Sequence, residues 1–205
     1  MASTLKINNL DTASGTDITV TAGKTLKLNN LDTASGTTIS VPTGKVIVGA
    51  DAGTFKQPGS SLQLVRNQVN QGSHENSDST SFFTIGGSVV TITPKYSNSL
   101  IRLVFSMYLH QQTGSAYYVY TVFRAISGGG TTNLGASSGS QFGMIAEGTD
   151  VSDNGYRRFH LEFYDAPSTT SATTYTLQFK KSQGANSLYA HSSGRQEYVA
   201  EEIAQ

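Results

Sequence analysis

The chain has 205 residues, 14 acidic and 14 basic side chains, no cysteine and only 14% charged residues. Zero formal charge leaves no basic excess to neutralise phosphates, so nucleic acid is excluded as an expected partner, and the lack of thiols excludes disulfides and thiolate metal sites. Low charge with 37% hydrophobic content, the balance being mostly Gly, Ser, Thr, Asn and Gln, argues against charge-driven disorder and long solvent-facing helices and for turns and strand surfaces. No apolar run approaches a bilayer span, and no basic start precedes an apolar stretch; neither membrane insertion nor a secretory leader is predicted.

The first feature along the chain is an internal repeat. Leu5 to Thr25 reads LKINNLDTASGTDITVTAGKT, and Leu26 to Val46 reads LKLNNLDTASGTTISVPTGKV. A third copy starts at Ile47 and is lost after Gly49. A period of this length implies stacked supersecondary units. Each unit holds two alternating apolar sets: Leu5, Ile7 and Leu10 with Ile18 and Val20, then Leu26, Leu28 and Leu31 with Ile39 and Val41. Between the sets lies Asp-Thr-Ala-Ser-Gly-Thr, a turn of small polar residues with a glycine free to take positive φ. The unit therefore reads strand, turn, strand, turn.

Energetics sets the expected quaternary state of residues 1–52. There is no aromatic residue before Phe55. Each aliphatic side chain, fully buried, contributes about 1.5–3 kcal/mol, while ordering every backbone residue costs about 1–2 kcal/mol. A lone copy loses that comparison. Three copies around one axis, each apolar row facing two others and each strand edge covered by a neighbour, reverse it. The ten aliphatic residues named above are thus expected to form the core of a homotrimer; a polar linker is the alternative.

Gly53 to Ser61, GTFKQPGSS, reads as a hinge, and composition changes beyond it. Residues 62–205 carry short alternating runs separated by turn clusters. Predicted strands are Leu62–Val69, Ser81–Ile85 and Val89–Thr93 around a Gly86-Gly87 turn, Leu100–His110, Tyr117–Ile126, Gln141–Glu147, Tyr156–Tyr164, a run through Tyr175, Leu177 and Phe179, and Tyr198–Ile203. Eight to ten strands without an amphipathic helix predict an all-β, antiparallel β-sandwich of jelly-roll type. Its expected interior is Leu103, Phe105, Met107, Val119, Phe123, Phe159, Leu161, Phe163, Leu177 and Phe179.

Three segments carry a family resemblance. Val90 to Ile101, VTITPKYSNSLI, resembles an element of the head domains of bacteriophage fibres. Asp165 to Leu177, DAPSTTSATTYTL, resembles another, found in marine and cyanobacterial phages, and Glu202-Ile203-Ala204 is similar to their closing strand. The repeat resembles a fibre collar. The resemblance implies a trimeric virion protein with a jelly-roll tip, assembled in the host cytoplasm and held at its N-terminus by another virion protein. It implies a tail fibre whose head meets a host surface glycan or protein; the short chain leaves room for a capsid-decorating head fibre, and a carbohydrate-binding module is a further alternative.

The chemistry-bearing residues point away from catalysis. His74, His110, His160 and His191 lack metal-ligand spacing, and there is no HxH or HExxH. Asp150-Val-Ser-Asp-Asn-Gly155 departs from a calcium loop and reads as a turn. Glu201 and Glu202 are adjacent in a strand, so their carboxylates point to opposite faces and do not form a glycosidase pair. No GxSxG elbow is present, and Gly128-Gly129-Gly130 lacks the lysine and helix of a phosphate loop. A non-enzymatic protein without metal or cofactor is expected. Tyrosine-rich surface suits sugars and proteins, but the favoured reading is that most of the tyrosines line trimer contacts or the sandwich rim; if the head carries a receptor site, the loops Gln111–Ala116 and Ser127–Leu134 are its expected place, with Gln111, Gln112, Tyr117, Tyr118, Asn133 and Arg157 as its residues.

Overall fold

A computed structural model describes residues 57–70, 75–111, 114–135, 145–151, 155–184, 188–191 and 195–205, some strand positions through their backbone alone. The repeat residues Leu5, Ile7, Leu10, Ile18, Val20, Leu26, Leu28, Leu31, Ile39 and Val41 lie outside them, as do residues 53–56 of the expected hinge. The chain divides between Ile47 and Val48, and every described residue belongs to the second unit.

Among the described residues there is no helix. The strands are β1 (Ser61–Asn70), β2 (Glu75–Ser77), β3 (Phe83–Ile92), β4 (Leu100–Gln111), β5 (Gly114–Ile126), β6 (Thr131–Asn133), β7 (Ile145–Val151), β8 (Gly155–Asp165), β9 (Thr173–Gly184), β10 (Leu188–His191) and β11 (Arg195–Ile203). They form two antiparallel sheets. In the first, β1 pairs with β11, β11 with β4, and β4 with β8, while β10 continues the line of β11 along β4 and β2 continues the line of β1 along β10. In the second, β3 pairs with β9 and β9 with β5, and β6 and β7 lie end to end along the far edge of β5. Counting collinear pieces as one line, the eleven strands make eight lines. Numbered along the chain, their order is 1-8-3-6 in one sheet and 2-7-4-5 in the other.

Sequence explains the placement of the best strands. β4 alternates Ile101, Leu103, Phe105 and Met107, all buried, with Arg102, Val104, Ser106 and Tyr108. Period two gives a strand an apolar and a polar face, and stacking two such sheets buries both apolar faces. β8 contributes Phe159 and Leu161 with Phe163 partly buried, β9 contributes Tyr175, Leu177 and Phe179, and β11 contributes Tyr198 and Ala200. At the centre the Tyr120 and Phe159 rings meet edge to face with centroids 4.5 Å apart, and both lie 5.7 Å from the Phe179 ring. Such aromatic pairs add about 0.5–1.5 kcal/mol beyond their buried area.

Two expectations are corrected. Gly86-Gly87 is not a turn between strands: β3 runs through it, with a register shift between Thr84 and Val89. Gly87 takes φ +78°, which a glycine bulge allows without breaking the strand. The face of β5 is also reversed. Tyr118, Tyr120 and Val122, not Val119 and Phe123, enter the core between the sheets. Val119 and Thr121 are buried on the opposite face, and Phe123 there meets Phe82 edge to face at 5.6 Å.

Candidate interaction surface

The strand connections divide between two ends of the sandwich. Residues 93–99, 127–130 and 166–172 connect strands at one end, where the strand pairs Ile101–Asp165 and Ile126–Thr173 lie. The strand pairs Gln111–Gly155, Gly114–Val151 and Gln111–Leu188 mark the other end. The 13 residues of β5 separate the two ends; at the strand rise of 3.2–3.4 Å this is about 40 Å. The described residues of the two loops expected to form one receptor surface, Gln111–Ala116 and Ser127–Leu134, therefore stand at opposite ends of the sandwich.

Each expected surface residue can be located. Tyr118 is 5% exposed and belongs to the core cluster, so it presents no binding surface. Asn133 is half-buried and engaged: its Oδ1 accepts from the Thr121 hydroxyl and from the Gly135 N–H. Gln111 ends β4, Tyr117 lies in β5 and Arg157 in β8, with side chains outside the described structure, and Gln112 lies outside it altogether. The tyrosines divide: Tyr118, Tyr120, Tyr175 and Tyr198 are buried, whereas Tyr108 and Tyr164 are exposed. Among the described residues, no group of three or more His, Asp or Glu side chains forms a metal site.

The end with residues 93–99 is tightly built. The chain enters beside its own C-terminal segment, with Gly59 N–H on the Ala204 carbonyl at 2.8 Å and Ala204 N–H on the Ser60 carbonyl at 2.9 Å. Glu202 is fully buried; its carboxylate accepts from the Lys95 N–H at 2.8 and 2.9 Å, the Tyr96 N–H at 3.1 Å and Gln63 Nε2 at 2.6 Å. Burial favours its protonation, but these donors, led by the Lys95 N–H, more than offset that and hold the carboxyl below its ordinary range. Nearby, Arg124 Nη1 donates to both Asp165 oxygens at 2.8 and 3.0 Å, and the buried Tyr175 hydroxyl donates to Asp165 Oδ2 at 2.7 Å. This trio ties β8 of one sheet to β5 and β9 of the other. Burial, then the Asp165 carboxylate, pushes the Tyr175 phenol well above the ordinary tyrosine range. Both clusters hold the fold, although the buried Arg124 Nε has no hydrogen-bond partner among the described residues.

The two outer faces differ in chemistry. That of the β3–β9–β5 sheet is mostly uncharged and polar; Thr91 and Thr174 hydroxyls meet at 2.8 Å, and Gln178 Nε2 donates to Thr84 Oγ1 at 3.1 Å. Lys180 Nζ lies 4.8 Å from the Phe82 ring centre on this face. The face of the β1–β11–β4–β8 sheet carries charge in cross-strand rows. One row runs Leu64, Glu201, Arg102, Tyr164; the next runs Arg66, Val199, Val104, Glu162; a third runs Gln68, Glu197, Ser106, His160. Arg102 bridges Glu162 at 2.7 Å and Glu201 at 3.0 Å, and Arg66 meets Glu197 at 2.6 Å. Hydrogen bonding to Glu162 and Glu201 holds the Arg102 proton more tightly than usual, and Arg102 in turn lowers the Glu162 carboxyl. Leu64, Tyr164 and Tyr108 are 58%, 55% and 40% exposed on the same face. A charge-laced sheet face with large exposed side chains is the best-formed candidate for contact with another macromolecule. Sequence reasoning missed it because the rows are assembled from strands distant in the chain.

The described residues thus define an all-β protein, an antiparallel two-sheet sandwich. No family model matches the chain, and no curated protein matches it. Among solved structures, one of infectious bursal disease virus, Gx strain, is similar over 81% of this chain and 42% of that one, with 12% identity and a TM-score of 0.39. Another, of the Gt strain of that virus, is similar over 80% and 44%, with 11% identity and a TM-score of 0.33. The chain spans less than half the length of either neighbour.

Proposed function

We propose that this chain is a non-enzymatic structural component of a virion: a bacteriophage fibre protein in which a repeat-built N-terminal segment trimerises and carries a jelly-roll head. The observation that carries the reading is the strand order, 1-8-3-6 facing 2-7-4-5, behind a segment built from a 21-residue repeat. Eight lines wired as two Greek keys are a jelly roll, an architecture used in capsid and lectin domains. The resemblance of Val90–Ile101 and Asp165–Leu177 to phage fibre heads favours the virion over a free lectin. Both segments build the well-knit end: the first supplies the loop that grips Glu202, and the second supplies Asp165 and Tyr175. On this reading the head is a rigid tip, and a tail fibre presents it to a host surface glycan or protein. The test is the mass of the full-length protein in solution, expected at three times the 21.8 kDa protomer, followed by labelling of intact particles. A monomer at micromolar concentration would refute the fibre. Label on the shell rather than the tail would make it a capsid-decorating fibre.

A further inference from the structure

We propose that β8 is an assembly edge that pairs antiparallel with β8 of a second copy of this chain, in the register that sets His160 opposite His160. β8 pairs with β4 along its whole length without a register shift, from Ile101–Asp165 to Gln111–Gly155, and among the described residues no strand pairs with its other side. An exposed strand of 11 residues with no proline and no bulge is a template for another strand. Two other edges, β1 and β3, are blunted. β1 shifts register between Ser61 and Gln63. β3 shifts between Thr84 and Val89, and Asn67 Nδ2 from β1 donates to the Gly87 and Val89 carbonyls at 3.0 and 2.7 Å.

Charge selects the occupant. The outward side chains of β8 run Arg158, His160, Glu162, all exposed. That order changes sign about His160, so an antiparallel pair centred there places Arg158 opposite Glu162 of the second copy, and Glu162 opposite Arg158 of the second copy. One two-fold axis makes both ion pairs. Arg158 is suited to this, since its guanidinium reaches only the Ser106 hydroxyl in its own chain, at 3.2 and 3.3 Å, among the described residues. The register also keeps Phe159 and Leu161 on the core side in both copies, so the outer charged face continues across the junction as one sheet.

The chain has no cysteine, which makes cross-linking clean. Full-length protein carrying His160→Cys is expected to give a covalent dimer with a short thiol cross-linker, because opposed residues of an antiparallel pair hold their Cβ atoms about 4.5–5.5 Å apart. A Thr91→Cys control on the other sheet is expected to give none. Adding Arg158→Glu, or Glu162→Arg, to His160→Cys opposes like charges and lowers the dimer yield about tenfold. Mixing those two proteins restores it, since each then meets its complement. A His160→Cys yield no higher than the control, or a mixture that fails to recover, overturns the proposal. Recovery also shows that both variants fold. The inference does not depend on trimerisation: copies held together by the N-terminal segment would not respond to the charge at position 158.

Discussion

The Glu202 carboxylate holds the Lys95 backbone N–H with both oxygens, at 2.8 and 2.9 Å, and so fastens the closing strand to the loop between β3 and β4. Glu202→Gln turns one acceptor into a donor facing that N–H, and is expected to cost about 2–3 kcal/mol, read as a lower midpoint in urea. The pH dependence follows from the lowered carboxyl. A group whose folded pKa is depressed contributes its full stability above the unfolded value, about 4.3 for Glu, and loses it as pH falls through the folded value. The gap between parent and variant should be constant near neutrality and shrink below about pH 4. A gap that persists into acid would show that Glu202 acts through shape rather than charge.

At alkaline pH the controlling residue is Tyr175. Its phenol is raised by burial and by Asp165, so its stabilisation is complete below the ordinary tyrosine value of about 10 and is lost as pH rises toward the folded one. Tyr175→Phe removes a hydrogen bond to a carboxylate and should cost about 1–3 kcal/mol at pH 7. It should also flatten the fall in stability above about pH 10. Asp165→Ala leaves the partly buried Arg124 without its counter-ion and should cost more, about 3–5 kcal/mol. Denaturation at pH 7 and 10.5 would order the two variants, and equal losses at both pH values for parent and Tyr175→Phe would refute the coupling.

Gly87 marks where β3 departs from ideal pairing. Its φ of +78° disfavours any side chain, and an added Cβ would sit 2.7 Å from Val69 Cγ2. Gly87→Ala is expected to destabilise by about 1–3 kcal/mol through backbone strain. Val69→Ala relieves the clash but not the strain, so the double variant should recover only part of the loss. Full recovery would mean that contact with Val69, not the dihedral, sets the requirement for glycine.

β5 shows how much of the fold the sequence makes legible. Its alternation and its end at Ser127-Gly128 are plain, and period two divides it into two faces. Periodicity does not say which face looks inward when both are apolar: Tyr118, Tyr120 and Val122 form one set, Val119 and Phe123 the other. Tertiary neighbours decide, and Phe159 and Phe179 take the tyrosine face. β4 and β8 were legible because their second faces carry Arg102, Ser106, Arg158, His160 and Glu162. The short strands β2, β6 and β10 have three or four residues each, too few to show a period. The candidate surface fared worse, since it is made of register rows and not of local motifs. The consequence for Tyr118 can be tested. Tyr118→Ala should behave as a core truncation costing about 3–5 kcal/mol, with loss of near-ultraviolet ellipticity. A folded variant of parental stability that had lost only attachment would return Tyr118 to the surface.

The head and the repeat should separate cleanly. All the described aromatic clusters and both buried carboxylate networks lie within residues 57–205, and the chain divides between Ile47 and Val48. A protein lacking residues 1–47 should therefore keep its urea midpoint within error, because removing sequence outside a cooperative core leaves that core's contacts intact. Its mass should differ: sedimentation should show three copies, or a multiple of three where β8 edges pair, for the full chain and no three-fold species for the shortened one. Leu28→Asp and Ile39→Asp in the full chain should have the same effect, since the proposed trimer buries that row and a charge is costly to bury. If the shortened protein still sediments as a trimer, the head itself makes the three-fold contact, and the repeat has to be assigned to attachment instead.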